Sequence, residues 1–172
     1  MMKKLLRPLL ICLLTLGPVA CGLDVVEFDL VGTGGVGAAG LYFPGMANFS
    51  AGLGRALSDK DVDPGDIDSM KVLEVSLRMT SQGGLTQDLS FIEDMEFSAE
   101  ADGLPTARIA FQASIAEGVR EVQFQVEDNL ELKPYLEAGN MAIKVQATLN
   151  PPPPDLVELE VTLKIRVDVD LT

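Results

Sequence analysis

The chain has 172 residues, a length that suits one domain, and its composition removes several kinds of chemistry before any motif is read. It holds no His and no Trp, which excludes imidazole bases, His-ligated metals and Ser-His-Asp or Cys-His machinery, and aromatic residues make up only 5%, too few for a base-stacking surface. With 13 Lys and Arg against 26 Asp and Glu, a net charge of -13, it would be repelled by phosphate backbones and anionic lipid surfaces.

At the start of the chain Lys3, Lys4 and Arg7 precede an apolar run from Leu9 to Leu16, and Gly17, Pro18, Val19 and Ala20 lead into Cys21. A charged start, a short apolar run and a small-residue exit are the parts of a secretory signal. The run is far short of the roughly 20 residues needed to span a bilayer. The stretch Val19-Ala20-Cys21-Gly22 resembles the lipobox of bacterial lipoproteins, with Pro18 standing where that family prefers Leu. The resemblance implies a signal peptide over residues 1–20, cleavage before Cys21, and a Cys21 that carries palmitate-type acyl chains. Gly22 in place of the Asp that retains such proteins at the inner membrane implies transfer to the outer membrane. Cys12 falls in the discarded segment, so the mature chain would keep one cysteine and no internal disulfide. Losing Lys3, Lys4 and Arg7 but no acid leaves 10 basic against 26 acidic side chains, a net charge of -16. Such a domain would be held by its acyl chains, of which two or more give stable anchoring.

Residues 21–69 read as the lipidated N-terminus, a first strand and a Gly-rich connection. Val26, Phe28 and Leu30 alternate with Glu27 and Asp29, the signature of a strand with one buried face. Residues 32–54 are rich in Gly, with scattered apolar positions at Leu41, Tyr42, Phe43, Met46 and Phe49, and read as a long, partly packed connection. Ser50 is a candidate cap for a short helix through Leu57, although Gly52 and Gly54 each cost about 1 kcal/mol relative to Ala.

Residues 70–172 read as the main body. Leu73, Val75, Leu77 and Met79 alternate with polar residues, and so do Met95, Phe97, Ala99 and Ala101. Asp102-Gly103 supplies a turn, after which Ala107, Ile109, Phe111 and Ala113 resume the pattern, so the two segments read as a hairpin. Val122, Phe124 and Val126 follow, then a helical turn over Pro134 to Ala138 closed by Gly139, and a strand through Met141, Ile143, Val145, Ala147 and Leu149. Pro151 to Pro154 reads as a stiff connector. The last segment alternates without a break from Val157 to Leu171, and its roughly 50 Å at about 3.3 Å per residue predicts a bend or bulge within it. About seven one-faced strands and no long helical period predict an all-β fold, an antiparallel immunoglobulin-like β-sandwich.

Three motifs look like chemistry. Gly32-Thr33-Gly34-Gly35-Val36-Gly37 fits the dinucleotide-binding pattern, but Glu27 and Asp29 do not suit a strand buried on both faces, and no βαβ alternation follows. A flexible tether or glycine-rich loop fits it better. Asp59, Asp61, Asp63, Asp66 and Asp68 are weak candidates for a Ca²⁺ loop, yet the EF-hand template fails where Pro64 replaces the turn Gly and Met70 the bidentate Glu. A solvated acidic turn around Pro64-Gly65 is the plainer reading, and no metal or other cofactor is expected. The carboxylates Glu93, Asp94 and Glu96, and Glu127, Asp128 and Glu131, offer glycosidase-like pairs, but with 26 acids such clusters are expected on wet faces.

The segments Ile67 to Leu73, Leu89 to Phe97 and Leu132 to Glu137 resemble small envelope lipoproteins of Gram-negative bacteria built as a single β-sandwich. That group has no activity to transfer, so the resemblance implies fold and location only. The leading expectation is a non-catalytic, lipid-anchored envelope protein with a structural or partner-binding role, no nucleic acid among its partners and no enzyme activity. The alternative is a small-ligand or Ca²⁺-binding module, with Leu41 to Leu57 as a lid and Asp59 to Asp68 as the cation loop.

Overall fold

The structure, a computed structural model, describes residues 24–43, 46, 49–81 and 88–170. The expected signal peptide, Cys21 and Leu171 lie outside the described residues. Among the described residues, nine strands form two antiparallel sheets, the sandwich that the alternation predicts. Strands β1 (Asp24–Gly37), β2 (Gly40–Tyr42), β3 (Ile67–Met79), β6 (Glu121–Gln123) and β9 (Val157–Val169) make one sheet in the order β2-β1-β9-β3-β6. The other sheet runs β7-β5-β4-β8, from β4 (Ile92–Glu100), β5 (Ala107–Ala113), β7 (Gln125–Val126) and β8 (Ala142–Leu149).

The last strand is the centre of the larger sheet. β9 pairs with β1 without interruption from Asp24↔Val169 to Val36↔Val157, and with β3 along its other side. Val157, Leu159, Val161, Leu163, Ile165, Val167 and Val169 all point inward and are buried, while the residues between them face solvent or lie half-buried. β9 itself is regular. The irregularity expected within it sits instead in β3, where Asp68 and Leu73 are each the extra residue of a bulge. A bulge puts two residues opposite one and so reverses which parity faces inward. The buried set of β3 accordingly runs Ile67, then Met70 and Val72, then Val75, Leu77 and Met79. Leu73, expected to be inward, is 42% exposed for this reason.

The same device corrects a second expectation. In β5 the pairing with β4 jumps over Ile109, so both Ile109 and Ala110 are buried and Phe111 turns to the outer face, where the Arg108 guanidinium stacks 5.7 Å from its ring centre. The β4–β5 hairpin itself forms as expected, with Gly103 in the left-handed region at φ 77°.

The Gly-rich connection is the larger correction. β1 continues through Gly37, turns at Ala38-Ala39 and pairs back as β2. Gly32 and Gly34 face inward, where the chain that follows β2 crosses beneath them. A Cβ on Gly32 would lie 2.7 Å from Met46 Sδ, the far end of a flexible side chain, and one on Gly34 would run into the Phe43 ring and lie 2.5 Å from the Tyr42 carbonyl oxygen. Met46 can give way beneath Gly32, but the ring and backbone around Gly34 leave no room for a side chain, so Gly34 is a packing requirement and the segment is a strand, not a tether. The chain then enters α1 (Phe49–Ser58), which buries Leu53 and Leu57 and touches both β1 and β8. The helical turn α2 (Lys133–Glu137) ends ahead of Gly139 at φ 87°, and its Tyr135 hydroxyl donates to the Pro105 carbonyl at 2.8 Å.

Two pairs of variants test this packing. Leu163→Asp places a charge where Leu163 is fully buried, forfeiting about 1.5–3 kcal/mol of apolar burial and adding an unpaired charge, so the chain is expected to unfold or aggregate. Lys164→Asp, on the outer face, should cost under about 1 kcal/mol in urea denaturation. Gly54→Ala, in open space on α1, should stabilise by about 0.5–1 kcal/mol, whereas Gly34→Ala should destabilise; the same sign for both would remove the close-packing explanation of Gly34.

Candidate functional site

The acidic stretch after α1 spreads along a turn. Asp59 follows the helix, Asp61 adopts a positive φ of 55°, and Asp63 caps the short 3-10 turn Pro64–Asp66 by accepting the Gly65 N–H at 2.9 Å. Asp66 lies in that turn, and Asp68 is the bulge residue of β3. All five are exposed, and among the described residues no three acidic or thiol side chains come together to hold a metal ion.

Three of the six paired carboxylates, Glu96, Glu127 and Glu131, are likewise engaged in building the fold. Glu96 accepts the hydroxyl of the buried Ser98 at 2.8 Å, and Glu127 holds Arg108 at 2.6 Å. Glu131 Oε1 accepts the Met70 N–H at 2.6 Å and the Lys133 N–H at 3.1 Å, which pins the chain entering α2 to β3. Asp88, not singled out by sequence reasoning, joins two loops: its carboxylate accepts the Ser90 hydroxyl and N–H and, from 30 residues away, the Gly118 N–H at 2.7 Å.

Two concavities flank β2, one on each face of the sheet. Beneath it, Leu41, Phe43 and Met46 meet Ile143 and Val145 of β8 around a space of about 250 Å³ with the Lys144–Glu100 ion pair at its margin. That volume falls below the roughly 300–1,000 Å³ of small-molecule sites. On the outer face lies a groove of about 520 Å³. Its floor is the backbone of Gly34, Gly35 and Gly37, and its walls are Tyr42 on β2 and Leu156 on the connector before β9. Tyr42 pairs with Gly35, so its ring stands beside bare backbone. Tyr42 is 70% and Leu156 72% exposed, and Val31, two turns of the pleat down the same face of β1, is 60% exposed. These are three of the five large apolar side chains left in water among the described residues, gathered where two glycines leave the sheet without side chains. An exposed apolar patch with a flat floor is suited to receiving an apolar side chain or a short segment of another molecule.

Sequence reasoning missed this groove because it took the glycines as loop. Their spacing did carry the signal: in an extended chain Gly32 and Gly34 share one parity and Gly35 and Gly37 the other, which clears both faces of a strand at once. No protein-family model matches the chain, and no curated protein and no solved structure matches it.

The hydrogen bonds to the carboxylates set a pH dependence. Asp88 is held below the ordinary carboxylate range chiefly by the Ser90 hydroxyl and then the Gly118 N–H, Glu100 chiefly by Lys144, and Asp168 chiefly by the Ser69 hydroxyl at 2.6 Å. A carboxylate whose folded pKa is depressed contributes stability that is complete above its unfolded value of about 4 and is lost as pH falls through the folded value. The melting temperature is therefore expected to fall between about pH 5 and pH 2, and Asp88→Asn should melt lower at neutral pH while losing part of that acid slope. Parallel slopes for the two proteins would show that Asp88 has no share in it.

Proposed function

We propose that the chain is a lipid-anchored protein of the cell envelope, most simply the outer membrane, that binds a protein partner and carries out no catalysis of its own. The observation that carries the reading is the glycine-floored groove between Tyr42 and Leu156 at the far end of β1. Its support from the sequence is the lipobox-like stretch ending at Cys21.

The two features are related by the geometry of β1. Three residue steps separate Cys21 from Asp24, at most about 11 Å of chain. From Asp24 the strand runs 13 further residues to Gly37, about 43 Å at 3.3 Å each. Acyl chains on Cys21 would hold the Asp24 end against the bilayer and present the groove on the side away from it. The acidic balance of the chain opposes adsorption to anionic lipid, so the anchor fixes the domain without flattening it. The engagement of Asp63, Glu96, Glu127 and Glu131 in turns, pairs and clamps favours binding over hydrolysis, since each acid already serves as an acceptor in the fold.

Two measurements test the reading. Labelled palmitate should enter the wild type and not Cys21→Ser; equal incorporation would remove the anchor. A photo-crosslinking residue at position 42, in cells, should give one discrete protein adduct that is lost when Gly37→Val fills the groove floor, whereas the same residue at position 73, exposed elsewhere on the sheet, should not give that adduct. An adduct equally strong from both positions would remove the groove as the contact.

A further inference from the structure

We infer that the partner contributes an extended segment of alternating apolar and basic residues, which adds as a strand to the free edge of β1. The inference rests on the partner-binding reading and gives the partner its chemistry. β2 covers β1 only from Gly35 to Gly37. From Asp24 to Val31 the side of β1 away from β9 pairs with no backbone group among the described residues. The other margins of the larger sheet and one margin of the smaller are strands of two or three residues, β2, β6 and β7, too short to accept much. The free edge of β1 is therefore long enough for about eight residues of partner, with the backbone donors and acceptors of a strand already aligned.

The side chains along that edge specify the occupant. On the outer face Val25, Glu27, Asp29 and Val31 are exposed, while on the inner face Val26, Phe28 and Leu30 are half-buried, with Leu30 facing Gly52 of α1. An added strand would set alternate residues beside Glu27 and Asp29, where cations pair and acids repel, and the others beside Val26, Phe28 and Leu30, where apolar groups complete the burial. The next strand inward supplies Lys164 and Arg166, so on the outer face Glu27 and Asp29 would stand between two rows of cations. Such a strand is collinear with β2 and its end would meet Tyr42, which brings it to the mouth of the groove. A second copy of this chain does not suit the edge, because antiparallel pairing of β1 with itself sets acids against acids. β8, the other long margin, offers Lys144, Gln146 and Thr148 outward and no acid, so it presents no acidic row to a basic segment.

The test uses the full mature chain and three end-blocked synthetic peptides of about nine residues: one alternating Val and Lys, one alternating Val and Glu, and the Val-Lys peptide with alternate amides N-methylated. Fluorescence anisotropy reads affinity and amide hydrogen exchange reads position. The Val-Lys peptide should bind, the other two about tenfold or more weaker, and the bound state should slow exchange in Val25 to Val31. The double variant Glu27→Lys, Asp29→Lys should reverse the preference between the Val-Lys and Val-Glu peptides, which also shows that it remains folded. Equal binding of the N-methylated peptide, protection outside β1, or a concentration-dependent dimer protected at the same residues would each overturn the inference. None of these results involves Cys21 or Gly37→Val, so this failure is separable from failure of the tethered-partner reading.

Discussion

The sandwich depends on the insertion of β9 between β1 and β3. Pairing along both sides satisfies its backbone, and seven inward side chains from Val157 to Val169 supply the floor of the core for the full length of the larger sheet. At about 1.5–3 kcal/mol for each fully buried aliphatic side chain, no other element contributes as much apolar burial from so short a stretch. Because β9 is the last and β1 the first of the described elements, the larger sheet closes through contacts between segments far apart in the sequence. Such closure loses loop entropy before any contact is gained, so the order of folding should follow the local β4–β5 hairpin first and the β1-β9-β3 ladder last.

A regular central strand transfers its irregularities to its neighbours. β9 keeps an unbroken alternation, and β3 adapts with bulges at Asp68 and Leu73, much as β5 adapts to β4 at Ile109. Each bulge adds twist and lets a long strand curve over the core. The first bulge is also stitched from the side, since the hydroxyl of Ser69 next to it donates to Asp168 on β9. Asp168 therefore does structural work on a face that composition alone would describe as merely wet.

The sandwich class was legible in the sequence because alternation is the direct consequence of a strand with one buried face, and it was least ambiguous where the strand is most regular, in β9. Leu73 and Phe111 were assigned to the wrong face because a bulge changes parity without changing composition. The glycines were misread for a different reason. Gly34 is required by the Phe43 ring and the Tyr42 carbonyl, which approach only after the chain has turned back through β2, and the spacing of the glycines does not name those neighbours. The candidate groove was hidden by the same misreading, while among the acids singled out, Asp63 of the suggested cation loop serves as a cap and Glu131 of the suggested carboxylate pair as a clamp.

Glycine within a strand is unfavourable, through lost entropy and absent packing, so four of them in six residues of β1 weaken its far end. That end is held by β9 on one side and three residues of β2 on the other, and Val36, fully buried, is the inward side chain that fixes it to the core. The near end, by contrast, has ordinary strand residues but, among the described residues, no strand paired along the side away from β9. β1 thus combines a weak but covered end with a strong but uncovered one. A segment added along the uncovered half would extend the ladder toward β2 and brace the glycine-bearing half, so the groove and the free edge would act as one contiguous surface, each made more rigid by occupation of the other.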